Sequence, residues 1–325
     1  MSDNIINTTK APEPVGLYPH ARKVGNLLFL SGIGPREAGT NNIPGLEVDK
    51  QGNFLKFDFE FEFDYAQFGY DTTSNYVEFY YSFNQSSLKV DTQNSSTNIE
   101  GLLKIFIKDD VSGDTIVFNQ WKLKYDVLDT SSIDSQILVG TLGFIIPKGT
   151  FTCEITGSDI HSPEKFRVIK EVIKVIPYLH KTLSISDIQL ASKMIQGSEN
   201  TSSIFYKNTY EVIPIPNLVF GKSQPALFFY IEIYNLQSEL IKSEHVKINQ
   251  LLYNSKGKLI KEKSKHLSRN SNTRVEVGSQ ILSSYPTDSY TLVIALIDSV
   301  GNTGCLLYTS PSPRDRTRYR MPSSA

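Results

Sequence analysis

From residue 61 onward, apolar and polar residues alternate with a period of two, in short runs broken by turn clusters. That period puts successive side chains on opposite sides of an extended backbone, so each run can cover a core only as a strand. Residues 76–83 place Val77, Phe79, Tyr81 and Phe83 on one side. Leu103, Ile105 and Ile107 repeat the pattern, as do Val117, Trp121, Leu123 and Tyr125, with Lys122 and Lys124 opposite them. The same reading predicts strands at 136–146, 150–156, 166–175, 226–234, 245–253, 258–265, 273–277 and 290–298. Asn84-Gln-Ser-Ser, Asp109-Asp-Val-Ser-Gly-Asp and Pro147-Lys-Gly are the breaks between them. The aromatic content agrees: 17 Tyr and 18 Phe stand against one Trp and three Met, and Tyr and Phe suit pleated, half-buried surfaces.

Pro147-Lys-Gly-Thr-Phe-Thr-Cys-Glu-Ile and Pro286-Thr-Asp-Ser-Tyr-Thr-Leu-Val-Ile form a weak internal repeat. In each, a proline turn leads into an alternating strand. Such a step is common near the last strand of immunoglobulin-like and fibronectin-like folds. The expected class is therefore mainly β, with two tandem β-sandwiches at 61–176 and 184–304 that meet near residues 176–186. Residues 186–195 fit two readings: a short helix capped by Ser186 and Gln189, or the first strand of the second domain.

Residues 1–60 are punctuated differently. Asn26-Leu-Leu-Phe-Leu-Ser-Gly is a short apolar strand running into a glycine turn, and a second strand is expected near 54–59. The stretch Phe57-Asp-Phe-Glu-Phe-Glu-Phe-Asp-Tyr65 alternates aromatics with acids. A calcium site on its acidic side is the weaker reading, because hard cations need converging oxygens and a strand splays them. The better reading is a join between two unlike segments.

Little points to chemistry. The histidines are His20, His161, His180, His245 and His266, none in a metal-ligand spacing, so no metal or cofactor is expected. The body has one cysteine, Cys153, since Cys305 lies in the final stretch. One cysteine excludes an internal disulfide framework and a Cys-rich zinc site. No apolar run approaches the roughly 18 residues of a membrane span. The whole chain carries a net charge of −1, and Arg314, Arg316, Arg318 and Arg320 near its end outnumber Asp315. The body is thus more acidic still, which gives no electrostatic case for nucleic acid. Lys256, Lys258, Lys261, Lys263 and Lys265 read as guards of an edge strand rather than a basic patch. Tyr76, Tyr80, Tyr230 and Tyr234 point away from the proposed cores, either as inter-domain packing or as a sugar- or peptide-binding row.

Three resemblances follow. Ala11-Pro-Glu-Pro-Val-Gly-Leu-Tyr-Pro-His-Ala-Arg-Lys-Val-Gly-Asn-Leu-Leu-Phe-Leu-Ser-Gly-Ile-Gly-Pro-Arg-Glu, continued by Ile43-Pro-Gly-Leu-Glu-Val-Asp-Lys-Gln-Gly-Asn, resembles the start of 2-aminomuconate deaminases of the RidA-like family. It implies a truncated α+β fragment over 1–60, from a cytoplasmic homotrimer that hydrolyses an enamine or imine carbon–nitrogen bond. On it, Tyr18, His20, Ser31 and Gly32 fall where a substrate-binding pocket is lined. The arginine that grips the substrate carboxylate in that family has no counterpart, and Arg22, Lys23 and Arg36 read as surface charges. No catalytic residue is therefore assigned, and no deaminase activity is expected.

Phe63-Asp-Tyr-Ala-Gln-Phe-Gly-Tyr-Asp-Thr-Thr-Ser-Asn-Tyr-Val-Glu-Phe-Tyr-Tyr-Ser-Phe-Asn-Gln, Leu183-Ser-Ile-Ser-Asp-Ile-Gln-Leu-Ala-Ser and Val219-Phe-Gly-Lys-Ser-Gln-Pro-Ala-Leu-Phe-Phe-Tyr-Ile-Glu-Ile-Tyr-Asn-Leu resemble GWxTD domain-containing proteins over 61–304. The naming motif is absent, since Trp121 sits in Asn-Gln-Trp-Lys. This resemblance implies a non-enzymatic exported protein with a protein or envelope partner; a carbohydrate-binding module is the alternative. Residues 305–325, from Cys305-Leu-Leu-Tyr-Thr-Ser-Pro-Ser-Pro-Arg-Asp to Met-Pro-Ser-Ser-Ala325, resemble a translated sequencing adapter. The chain then reads as a chimera with an irregular tail.

Overall fold

The computed structural model describes residues 4–6, 21–24, 27–30, 59–91, 98–126, 137–178, 182–221, 224–241, 243–286, 288–297 and 303–310, with backbone alone before residue 59 and after 302. The chain divides into two compact units, Met1–Phe57 and Asp58–Ala325. In the first, β1 (Asn4–Ile6), β2 (Ala21–Val24) and β3 (Leu27–Leu30) form an antiparallel sheet in that order. The strand expected near 54–59 lies almost wholly outside the described residues.

The second unit is built of strands, with one 3-10 turn (Gln85–Ser87) and no α-helix among the described residues. Among the described residues no helix is long and apolar enough to cross a membrane. Its first sheet pairs β4 (Phe61–Gly69), β5 (Ser74–Asn84) and β9 (Ile137–Pro147). A second sheet runs β11 (Phe166–Val175), β10 (Gly149–Asp159), β7 (Asn98–Asp109), then β8 (Thr115–Asp126), with β6 (Val90–Asp91) pairing the start of β7. Alternation decides which residues meet. Phe61, Phe63, Val77, Phe79, Tyr81 and Phe83 from one sheet share a core with Leu103, Ile105, Ile107, Phe151, Ile155 and Ile173 from the other. The close approach of the sheets is visible at Gly157, where a Cβ would overlap the Phe61 ring.

The third sheet centres on β16 (Ala226–Tyr234). On one side lies β19 (Thr273–Ile281). On the other lie β12 (Ser184–Ile185) and β13 (Gln189–Gln196), followed by β15 (Tyr210–Pro214) and β14 (Tyr206–Lys207). The fourth runs β18 (Leu259–Ser268), β17 (His245–Asn254), β20 (Tyr290–Ile297), β21 (Thr303–Ser310). Leu227, Phe229, Ile231 and Ile233 of the third sheet meet Val246, Ile248, Leu267, Ile294 and Leu296 of the fourth. Residues 186–195 are extended for most of their length, not helical, because β13 pairs with both β15 and β16.

The tail departs from its expected irregularity. Residues 305–310 continue β21, which pairs in register with β20 from Ile297↔Thr303 to Tyr290↔Ser310. The reason is local: the free edge of β20 offers unpaired N–H and C=O groups, and Leu306, Leu307, Tyr308 and Thr309 accept extended backbone readily. Residues 311–325 lie outside the described set.

Salt bridges close the sheet margins. Arg167 of β11 donates to Glu62 Oε1 at 2.7 Å and to the Phe61 carbonyl at 2.8 Å, tying β11 to β4. Lys265 on the edge strand β18 pairs with Glu276 of β19, and Arg274 adds a second cation at 2.6 Å. The lysine run thus has Lys261, Lys263 and Lys265 on an edge strand.

Candidate functional site

The second unit carries a third core that belongs to neither pair of facing sheets. Ala66, Phe68 and Tyr80, from the outer face of the first sheet, pack on Ala191, Val212 and Tyr230 from the outer face of the third. Tyr80 is 1% exposed and Tyr230 0%. A sheet whose second face is also covered must handle every polar group on that face internally. The junction does so with one connected network.

Its centre is Lys207. The hairpin joining β14 to β15 has two linking residues, Asn208 and Thr209, with φ of 46° and 66°. Two-residue hairpins that match strand twist need positive φ at both positions, which Asn accepts and a β-branched Thr resists. The hairpin aims Lys207 inward. Its Nζ sits 4.0 Å from the Phe68 ring centroid and 4.5 Å from that of Tyr230. It donates to Glu78 Oε2 at 2.7 Å, and Tyr80 Oη donates to the same oxygen at 2.7 Å. Burial pulls the Lys207 ammonium below its ordinary value, and Glu78 opposes that shift.

Glu232 anchors the other end. Tyr230 donates to its Oε1 at 2.7 Å and Tyr234 to its Oε2 at 2.6 Å. Asn208 Nδ2 reaches the Tyr230 hydroxyl at 2.6 Å and Glu232 Oε1 at 3.0 Å. The Tyr234 hydroxyl in turn accepts from the Gly69 amide at 2.7 Å, linking the third sheet to the first. Burial, then the Glu232 charge, raises both phenols far above the ordinary tyrosine value. Near the connecting segment, the Gln67 amide donates to Asp187 Oδ2 at 3.0 Å, the Asp187 amide returns a bond to the Gln67 carbonyl at 2.9 Å, and Tyr178 Oη adds a third at 3.0 Å.

This arrangement settles the four outward tyrosines. Tyr80 and Tyr230 are inside the junction and Tyr234 is bonded across it, so they cannot form an exposed binding row. Tyr76 lies at the margin, 36% exposed. Lys207, Glu78, Asn208 and Glu232 were not legible as a group. The available signal was that β5 and β16 carry large residues on both faces.

The other sequence-derived candidates scatter. Tyr18, His20, Ser31, Gly32 and His180 lie outside the described residues. His245 and His266 are exposed on adjacent strands, ring centroids 6.4 Å apart. His161 is half-buried near two carboxylates. Cys153 faces the first core, and burial pushes its thiol up to about 12, so it packs rather than reacts.

No protein-family model matches the chain. A 47-residue stretch is 43% identical to the RutC family protein SSO3206 of Saccharolobus solfataricus, covering 14% of this chain and 37% of that protein. A 51-residue stretch is 39% identical to the RutC family protein PYRAB12510 of Pyrococcus abyssi, covering 16% and 40%. The chain therefore spans well under half the length of these relatives, and the similarity agrees with a short RidA-like segment. Among solved structures, red sea bream transglutaminase aligns over 80% of this chain and 32% of its own, at 8% identity and a TM-score of 0.25. Purple acid phosphatase PPD1 from yellow lupin aligns over 77% and 41%, at 11% identity and 0.23. Scores this low carry no inference about fold or activity.

Proposed function

We propose that residues 61–176 and 184–304 are tandem immunoglobulin- or fibronectin-like sandwiches, and that they serve as a rigid, non-enzymatic binding or assembly module of an exported GWxTD-like protein. The observation that carries this reading is the junction centred on Lys207. Domains in one chain usually meet through modest polar contacts and move relative to one another. Here a buried aromatic cluster, an ion pair and the Gly69–Tyr234 hydrogen bond span the contact. Fixing two domains in advance removes an ordering cost from any partner that touches both. Small-angle scattering of the full chain tests this. One rigid particle is expected, with a distribution of interatomic distances that broadens in Lys207→Met. A broad, hinge-like distribution already present in the wild type would remove the argument.

A second reading rests on the RutC-family similarity: a RidA-like enamine or imine hydrolase. Ammonia release from 2-aminomuconate by the purified chain would carry it; none is expected.

A further inference from the structure

Four buried side-chain atoms among the described residues have no hydrogen-bond partner. Asn75 Oδ1 and Gln189 Oε1 belong to the junction and its margin. The other two, His161 Nε2 and Asn98 Oδ1, lie elsewhere and share Asp91 as a neighbour. Native proteins leave few such atoms, and each calls for a reason.

Asn98 and Glu100 are two residues apart on β7 and share its outer face, opposite to Ile99 in the core. Asn98 lies directly across from Asp91 of β6 and from Asp126 of β8. Directly opposed residues of an antiparallel pair project to the same side. His161, just beyond β10, brings Nε2 to 3.7 Å from Glu100 Oε2 and 3.9 Å from Asp91 Oδ2. The segment is held there: Asp159 accepts from the His161 and Lys89 amides at 2.8 and 2.6 Å, and the Ile160 amide donates to the Glu100 carbonyl. Asn98 is 4% exposed. Asp91 and Asp126 flank Asn98 on this face, and Lys124, directly across from Glu100, lies 3.7 Å from Glu100 Oε1.

We propose that Asp91, Asn98, Glu100 and His161 bind a divalent first-row metal ion, with zinc(II) the best fit. One imidazole nitrogen with carboxylate and amide oxygens is a borderline donor set that suits zinc. The ion would use both unpartnered atoms and offset the charges of Asp91 and Glu100. A tetrahedral zinc about 2.1 Å from its ligands spaces them about 3.4 Å apart. The imidazole–carboxylate separations of 3.7 and 3.9 Å are a few tenths of an ångström wider. As they lie, no three His, Cys, Asp or Glu side chains among the described residues are close enough to hold a metal. The ion therefore draws the ligands together rather than entering a finished cradle.

Calorimetric titration of the full chain with zinc chloride tests this, in a Cys305→Ser, His20→Ala, His180→Ala, His245→Ala, His266→Ala background that leaves His161 as the one imidazole and the buried Cys153 as the one thiol. One equivalent is expected to bind and to raise the melting temperature. Asp91→Asn and His161→Ala should each weaken binding at least tenfold while keeping the wild-type circular dichroism. Cobalt(II) on the otherwise unchanged protein should give the visible bands of a four-coordinate nitrogen–oxygen site, a readout that needs no variant to fold. Absence of those bands, unchanged affinity in folded His161→Ala, or loss of binding in the background protein would each overturn the proposal.

Discussion

Replacing Lys207 with methionine keeps an unbranched chain between the Phe68 and Tyr230 rings and removes the ammonium. Glu78 then keeps the Tyr80 hydroxyl but loses a cation at 2.7 Å. The two side chains are 15% and 14% exposed, so this is not a surface pair worth about 0–1 kcal/mol. Removing one partner of a buried pair costs about 3–5 kcal/mol, because the other charge is left uncompensated. The remaining exposure lets water reach Glu78 and puts the expectation at about 3 kcal/mol, the low end of that range. The lost cation–π contact, about 0.5–2 kcal/mol, is largely offset by the methionine–aromatic contact, about 0.3–1.5 kcal/mol. Adding Glu78→Gln removes the stranded charge while leaving an oxygen for Tyr80. The double variant should therefore lie within about 1 kcal/mol of the wild type, since a neutral replacement of a buried pair is often nearly neutral. Urea denaturation of the wild type, both single variants and the double variant gives the interaction energy directly. A single-variant cost below about 1 kcal/mol, on the scale of a surface pair, would refute the idea that the pair is buried and coupled. A double variant as unstable as Lys207→Met would refute it equally.

Gly157→Ala should destabilise by about 1–3 kcal/mol, because its Cβ would overlap the fully buried Phe61 ring; an unchanged urea midpoint would show that the ring can move aside. Thr209→Gly should stabilise by up to about 1 kcal/mol, since it relieves a β-branched residue at φ 66°; thermal melting reads it, and a lower melting temperature would count against the strain. Tyr230 and Tyr234 are held above the ordinary value of 10.0 when folded, so the stability they contribute is full below pH 10 and falls as pH rises beyond it. The loss should approach about 1.4 kcal/mol per phenol and pH unit, and Tyr230→Phe should flatten it between pH 10 and 11. An identical slope in the variant would mean that the phenol ionises freely in the folded chain.

Alternation made most strands of the second unit legible. The predicted strands at 166–175 and 226–234 have the observed bounds, because β-branched and aromatic residues fill both runs and Pro or Asn stands shortly beyond each end. Residues 186–195 were ambiguous because Ser186 suits a cap as well as it suits its actual bonds, donating to the Asp187 carbonyl and accepting from the Glu232 amide. Partners in the junction were not legible, because Glu78 and Lys207 lie 129 positions apart and pair only once two sheets have met. The same holds for His161, whose neighbours Asp91 and Glu100 sit on other strands. The strand at 303–310 does not follow from the adapter-like character of residues 305–310, because an open sheet edge responds to propensity and not to origin.

The sheet that faces solvent and the sheet that faces another sheet differ in a way that can be read from one strand. On β18, residues 261–266 are exposed on both faces, as an edge strand permits. On β8, Val117, Trp121, Leu123 and Tyr125 turn partly buried faces to the core while Ile116, Phe118, Lys122 and Lys124 are exposed. On β5, the run from Phe79 to Phe83 is buried without interruption, and on β16 both Phe229 and Tyr230 are buried although they point to opposite sides. Strands buried on both faces lose their alternation and read as near-continuous apolar runs. In β5 and β16 the second face is distinguishable from the first by its acids: Val77, Phe79, Tyr81, Phe83, Leu227, Phe229, Ile231 and Ile233 point to the cores, while Tyr80, Phe228, Tyr230 and Tyr234, with Glu78 and Glu232 beside them, lie on the opposite face. A phenol can be buried there because an acid two residues away on the same face accepts its hydrogen bond, as Glu78 does for Tyr80 and Glu232 for Tyr230 and Tyr234. In β5 and β16 a phenol bonded to a glutamate two residues away, on the outward face of a strand whose inward face is already apolar, therefore marks the side that another sheet covers.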